Sequence, residues 1–102
     1  MSASGSGFAD EEFEWDPEKA MANELAHEVS FAEARSVFDD TLEKTELDTK
    51  PNSANEERFV TVGTSNRQRV LVVVHCERGD RMRIISARKA TRRERRRYEE
   101  RS

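Results

Sequence analysis

The sequence predicts an α+β domain in which two short helices pack on one face of an antiparallel sheet and a basic helix closes the chain. Apolar residues in the first 40 positions recur at the helical spacing of three to four. From position 58 to position 88 the apolar residues instead alternate with a period of two, in three segments joined by short connections that favour antiparallel hairpins. A chain of 102 residues holds one such domain with one modest core.

Capping residues mark the starts of the two N-terminal helices. Asp16 followed by Pro17 supplies an N-cap and a proline at the first helical position. Ser30 with Glu33 three residues later matches the capping box of a second helix. Each helix carries apolar residues at a spacing that predicts one buried face: Met21, Leu25 and Val29 for the first, and Phe31, Ala34, Val37 and Phe38 for the second.

Residues of high β-propensity predict the strands of the second half, at Arg58–Gly63, Arg69–Cys76 and Arg81–Arg88. A short strand is also expected at Phe13–Asp16 and a marginal one at 41–47. Strict alternation puts His75 on one face with Leu71 and Val73. On the last strand, the same alternation separates Arg83 from Arg88.

The two ends of the chain differ in composition from its middle. Residues 1–12 mix Ser, Gly and acids, as is typical of a disordered lead-in, so the single domain is expected to span 13–100. The segment 48–57 lacks apolar side chains except for one alanine and predicts a surface loop. Thr91 and Glu94 match a capping box before a strongly basic helix, Arg92–Glu100.

Composition excludes several classes of protein. No apolar run is long enough to span a membrane, and no secretory signal is visible at the N-terminus. The lone cysteine cannot form an internal disulfide, which favours a cytoplasmic location. The chain has no metal-ligand spacing and no glycine-rich phosphate loop, so neither a metal site nor a cofactor is predicted.

Charge is divided unevenly along the chain. Residues 1–57 carry 16 acidic and 4 basic side chains, whereas residues 58–102 carry 5 acidic and 14 basic ones. This split indicates either a polyanionic partner for the basic half or mutual neutralisation of the two halves within the fold.

Arginine and histidine side chains on the predicted strands suggest an RNA-backbone cleft. Guanidinium groups bind phosphate bidentately and stabilise charge that grows on it, and an imidazole transfers protons near neutral pH. The candidates are Arg69, His75, Arg83 and Arg88, supported by Lys89 and the basic residues of the last helix. The alternative is that charges at strand edges and hairpins only keep the protein soluble and prevent edge-to-edge pairing.

Several segments resemble the BrnT family of type II toxins. They include Phe13–Ala20 (FEWDPEKA), Glu57–Gly63 (ERFVTVG), Glu77–Asp80 (ERGD), Arg83–Ala90 (RIISARKA) and the tail from Arg92 to Tyr98. The resemblance implies a small RelE-like ribonuclease fold and metal-independent RNA cleavage that arrests translation. It also implies a BrnA-type antitoxin, through which the complex binds DNA indirectly.

In the expected mechanism the RNA 2′-hydroxyl attacks its neighbouring phosphate, and the candidate residues have the following roles. Arg83 and Arg88 would hold the phosphate, and His75 would transfer protons. The residues expected to contact or position RNA are Arg69, Tyr98, Lys89, Arg92, Arg93 and His27.

One position departs from the family pattern. This chain reads Ala26-His27-Glu28 where family members usually read Lys-His-Gly. The departure removes a cation and an easy helix C-cap. Two alternatives to an active ribonuclease therefore remain: a catalytically weakened homologue that mainly binds an antitoxin, and an RNA-binding domain without chemistry.

Overall fold

The computed structural model describes residues 12–48 and 57–100 and confirms the α+β class. Most of the predicted lead-in and of the loop at 48–57 lies outside these residues. The described elements are, in order, β1 (Phe13–Glu14), α1 (Pro17–His27), α2 (Phe31–Ser36), a 3₁₀ helix (Val37–Asp39), β2 (Lys44–Leu47), β3 (Phe59–Thr64), β4 (Val70–Arg78), β5 (Arg81–Lys89) and α3 (Arg92–Glu100). No helix in this part of the chain is long and apolar enough to cross a membrane.

The strands form one mixed sheet in the order β1-β5-β4-β3-β2. The four strands from β2 to β5 pair antiparallel, as predicted. The expectation of a purely antiparallel sheet is wrong at β1, which pairs parallel with β5 through Phe13 and Glu14. The apolar–polar alternation of a two-residue strand is too short to predict whether the strand pairs parallel or antiparallel.

A β-bulge divides β5. Val74 pairs with Ser86 but His75 pairs with Ile84, so β5 holds one extra residue at this step. The predicted alternation is therefore wrong across the bulge: Ile84 and Ala87 both enter the core although they are three positions apart. Arg83, Ser86 and Arg88 instead share the opposite face of the sheet.

The core lies between α1, α2 and one face of the sheet, here called the helix-bearing face. Its fully buried members are Val29, Phe31, Ala34, Val37, Leu71, Val73, Ile84 and Ala87. Close approach of the 3₁₀ helix to β3 requires Gly63, because an added Cβ would lie 2.8 Å from Cγ1 of Val37. The opposite face of the sheet is here called the open face.

The predicted apolar face of α1 is wrong for Met21 and Leu25, which are 68% and 83% exposed. The third member, Val29, is buried but lies beyond the end of the helix. Glu28 adopts a left-handed conformation with φ of 60°, which ends α1 and breaks the helical period before Val29. Asp16 and Ser30 do cap their helices as predicted.

Asn23 takes the buried position on α1 that the sequence pattern did not single out. Its Nδ2 donates to the carbonyl oxygens of Ala87 and Val29, at 2.8 and 3.0 Å. Its Oδ1 accepts the Ala87 N–H at 3.0 Å. Within the described residues, β1 pairs with the outer edge of β5 only at Met82 and Arg83. At Ala87 the Asn23 carboxamide therefore makes the backbone hydrogen bonds that a neighbouring strand would otherwise make.

Replacing Asn23 with Ala is expected to destabilise the protein by about 3 kcal/mol. The change leaves the buried peptide groups of Ala87 and the Val29 carbonyl without these partners, and each unpaired group costs roughly 1–3 kcal/mol. Urea unfolding measures the loss. Asn66→Ala, at an exposed turn position, should change stability by less than about 0.5 kcal/mol. A loss below about 1 kcal/mol for Asn23→Ala would show that these groups find other partners.

Candidate active site

A groove of about 660 Å³ lies between α3 and the open face of the sheet. Its floor is apolar and consists of Val60, Val62, Val72 and Val74. Its walls are mostly polar and include Lys44, Glu46, Asp48, Ser86, Arg88, Glu94, Arg97 and Glu100. A pocket with an apolar floor and a few converging charged groups is the usual form of a binding site.

Tyr98 anchors α3 over this groove. It is the one buried residue of the helix, with 8% of its surface exposed. Its hydroxyl accepts a hydrogen bond from Thr64 Oγ1 at 3.0 Å and donates one to the Asp40 carboxylate. Burial raises the pKa of Tyr98, and the Asp40 carboxylate raises it further. The side chain predicted to position RNA thus positions a helix in this structure.

Asp40 receives several hydrogen bonds besides that from Tyr98. The backbone N–H groups of Thr64 and Leu42 donate to its carboxylate at 2.8 and 3.0 Å. Burial alone would raise the pKa of Asp40, but these hydrogen bonds outweigh burial and hold the pKa below its usual range. Asp40 therefore stays charged and joins the 3₁₀ segment, β3 and α3.

Arg88 projects from β5 into the groove and pairs with Glu94 of α3. Its Nη1 and Nη2 donate to the two carboxylate oxygens of Glu94 at 2.8 and 2.9 Å. Glu94 also accepts the Thr91 N–H at 2.9 Å, which completes the predicted capping box. The hydrogen bonds from Arg88 lower the pKa of Glu94 to about 2, and Glu94 in turn raises the pKa of Arg88.

Arg83 shares the open face with Arg88 but lies near the other end of the sheet. Its Nε is 3.2 Å from Oε2 of Glu14 on β1. Arg78 is 4.0 Å from the same oxygen. The structure therefore brings both predicted phosphate-binding arginines to one face, although it places only Arg88 in the groove.

Arg69 lies on the other side of the molecule, against α2. Its Nε donates to the buried carboxylate of Glu33 at 2.9 Å, and its Nη2 donates to the carbonyl of Glu28 at 2.9 Å. Ser65 Oγ donates to the same Glu33 carboxylate at 2.6 Å. Hydrogen bonding to Arg69 lowers the pKa of Glu33 despite its burial. Arg69 is thus held in an internal ion pair rather than in the groove.

His75 is 97% buried on the helix-bearing face. Its Nε2 lies 2.7 Å from Oγ1 of Thr61, and its ring stacks on Phe59 with centroids 5.9 Å apart. Phe38 meets the ring edge-on at 5.0 Å. Burial lowers the pKa of His75 to about 4, so the imidazole is neutral at pH 7. The sheet separates it from Arg88.

The remaining predicted residues do not line the groove. Lys89 points toward the end of α1, where its Nζ is 3.3 Å from Oε1 of Glu28. His27 is exposed at the end of α1, and Arg92 and Arg93 are exposed on the first turn of α3. No cluster of His, Cys, Asp or Glu that could hold a metal ion occurs among residues 12–48 and 57–100.

Sequence reasoning missed the groove residues that face Arg88. The sequence indicates Glu94 as a capping residue and as a counter-charge within the basic helix, whereas its pairing with Arg88 depends on how α3 docks. Lys44, on a strand whose pattern was marginal, reaches the groove because it pairs with Val62. Neither contact leaves a signal in the local sequence.

Comparisons with known proteins agree on one family. The family model described as "Ribonuclease toxin, BrnT, of type II toxin-antitoxin system" matches residues 15–94. Among solved structures, the chain is similar to the Brucella abortus ribonuclease toxin BrnT, with a TM-score of 0.55 and 25% sequence identity. The match covers 76% of this chain and 94% of the Brucella chain. A search of curated proteins finds no match.

Acid is expected to weaken the docking of α3 through Glu94. The pKa of Glu94 is lowered from 4.5 to about 2, so its stabilising effect is complete above pH 4.5 and is lost as the pH falls toward 2. Carbon-13 NMR of the Glu94 carboxyl should give a midpoint near 2. Arg88→Ala should move this midpoint up, because Arg88 is the largest cause of the shift. An unchanged midpoint in that variant would contradict the assignment.

Proposed function

Because the chain belongs to the BrnT family of ribonuclease toxins of type II toxin–antitoxin systems, we propose that it cleaves RNA without a metal ion and so arrests translation. Arg88 carries this proposal: it is the predicted phosphate-binding arginine that lies within a groove large enough for a nucleotide. We further propose that the fold is RelE-like and that the protein acts in the cytoplasm.

In the proposed reaction the RNA 2′-hydroxyl attacks the neighbouring phosphorus. The new bond joins the 2′-oxygen to phosphorus, and the bond from phosphorus to the 5′-oxygen breaks. A base takes the 2′-proton, and an acid returns a proton to the 5′-oxygen. In the proposed step the phosphate displaces Glu94 from Arg88. The guanidinium then stabilises the negative charge that grows on the phosphate, the task for which other nucleases use a metal ion.

Arg83 suits a second, flanking phosphate. Because of the bulge, Arg83 and Arg88 lie opposite Cys76 and Val72, four positions apart on β4. This is roughly 13 Å along the strand, so the two guanidinium groups do not meet at one phosphate. An RNA strand lying along the open face passes both. Arg92 and Arg93, exposed on α3, extend the positive surface beyond Arg88.

The other predicted residues receive indirect roles in this proposal. Tyr98 positions α3, and Arg69 positions α2 against the turn before β4. Lys89 and His27 lie at the rim near the end of α1. Proton transfer by His75 would require a movement that exposes the imidazole, because the sheet lies between it and Arg88.

The partner that fits this function is an antitoxin of the BrnA type. An antitoxin that covers the open face or shifts α3 would block access to Arg88. We propose that contact with DNA occurs only through this complex, with the antitoxin carrying the specific binding element.

Arg88→Ala is expected to abolish growth arrest and to lower RNA cleavage about 10²–10³-fold, because one charge-stabilising donor of the transition state is lost. Induced expression in a bacterial host, with growth and total RNA followed, measures the effect. Arg88→Lys keeps the charge but loses the bidentate geometry and should restore only part of the activity.

Arg67→Ala provides the matched control, since Arg67 is exposed in the turn between β3 and β4 and does not line the groove. It should arrest growth as the unsubstituted chain does. Circular dichroism verifies that each variant is folded. Purified protein should cleave RNA equally well in EDTA. Full toxicity of a folded Arg88→Ala variant would overturn the role of Arg88.

A catalytically weakened toxin is the second candidate function, and Glu28 is the observation that favours it. This residue occupies a left-handed position that suits glycine, and its carboxylate pairs with Lys89. The pairing partly neutralises one of the predicted RNA-binding cations.

The Ala26→Lys, Glu28→Gly double variant discriminates between the two functions. If the natural chain is weakened, the double variant should arrest growth at a lower expression level, because it gains a cation and frees Lys89. Ala26→Lys alone serves as the control for added charge. Equal toxicity of the natural chain and the double variant would favour the fully active toxin.

A further inference from the structure

A second cavity, of about 250 Å³, lies on the helix-bearing face beside the 3₁₀ helix. Three rings line it: Phe38, Phe59 and His75. The carboxylate residues Glu43 and Glu77 also line it. The cavity shares no lining residue with the groove at Arg88. Its acidic and aromatic lining is a different chemistry from that of a phosphate site.

A chain of hydrogen bonds fixes the proton on the His75 ring. Thr45 Oγ1 donates to the Glu43 carboxylate at 3.2 Å, since a carboxylate only accepts. Thr61 therefore donates its single hydroxyl proton to Thr45, at 2.6 Å. The imidazole must then donate from Nε2 to Thr61, at 2.7 Å. This leaves Nδ1 without a proton, as a hydrogen-bond acceptor.

The acceptor at Nδ1 has no hydrogen-bond partner among the described residues. It is buried and makes no hydrogen bond within the described part of the chain. An unpaired buried polar atom carries an energetic cost unless a ligand or water satisfies it. A group that pairs with this Nδ1 must therefore be a hydrogen-bond donor.

We infer that this cavity receives the guanidinium of an arginine presented by a protein partner. A guanidinium has only donors, which suits both the bare Nδ1 and the two carboxylates. It is planar and positively charged, so it stacks favourably on the faces of Phe38 and Phe59. A cavity of about 250 Å³ holds such a side chain.

An RNA strand suits this cavity poorly. Unlike the groove, this cavity has no lysine or arginine among its described lining residues, so the carboxylates of Glu43 and Glu77 repel phosphate without a compensating cation. The sheet also separates the cavity from Arg88. Residues 1–11 and 49–56 contain no arginine, so neither of these segments supplies the guanidinium. The inference goes beyond the proposed ribonuclease activity and does not depend on it, because binding here involves no RNA.

The test uses N-acetyl-arginine methylamide as the probe and the full chain labelled with nitrogen-15. Long-range proton–nitrogen spectra report both ring nitrogens of His75. The free protein should carry its proton on Nε2. The probe should bind with a dissociation constant of millimolar order, typical of so small a ligand, and should shift the Nδ1 resonance as that atom accepts a hydrogen bond.

Two controls give the binding its specificity. The citrulline analogue has nearly the same shape without the charge and should bind at least tenfold more weakly. Glu77→Gln removes one carboxylate at an exposed position and should weaken arginine binding severalfold. Glu24→Gln, exposed on α1 and outside the cavity, should leave it unchanged.

Three results would overturn the inference. They are a proton on Nδ1 in the free protein, equal binding of the arginine and citrulline probes, and no saturable shift with the arginine probe. A shift of the same resonances by a short RNA but not by the arginine probe would instead identify an RNA subsite. Because none of these readouts measures cleavage, failure here leaves the ribonuclease proposal standing.

Discussion

The free edge of β5 is the constraint on which both faces of the sheet depend. Beyond Arg83, no strand in the described ranges pairs with that edge, and buried peptide groups there need partners. The carboxamide of Asn23 supplies them by donating to and accepting from Ala87. This contact locks α1 to one face of the strand. Because Arg88 follows Ala87 directly, the contact with Asn23 also fixes the position from which the Arg88 side chain projects on the open face.

Ion pairs explain where much of the uneven charge of the sequence goes. Glu33 with Arg69, Glu14 with Arg83, and Glu28 with Lys89 each join an acid of the first half to a base of the second. Mutual neutralisation, one of the two explanations that the sequence left open, therefore accounts for part of the asymmetry. Arg88 differs from these three basic residues, because its partner Glu94 belongs, like Arg88 itself, to the basic second half of the sequence. The arginines of α3 leave a positive surface beside the groove.

Local chemistry explains what the sequence could predict. Asp16 and Ser30 begin helices because each side chain satisfies a backbone N–H of the first turn, which requires only near neighbours. The strands likewise follow from alternation over a few residues. The bulge in β5 does not, because it depends on which residues of β4 lie opposite. For the same reason alternation placed His75 with Leu71 and Val73 but did not show that Phe38 and Phe59 would enclose it.

The bulge also couples the two faces. Val74 contributes to the floor of the groove, and the next residue, His75, lines the cavity on the other side. The extra residue of β5 lies opposite this step, so it sets the register of Ser86 and Arg88 relative to Ile84 and Arg83. A change in register here would move Arg88 and the surroundings of His75 together, since a slip of one residue reverses the face of each side chain. A partner bound at the cavity therefore contacts the strand pair that positions Arg88, without approaching the groove itself.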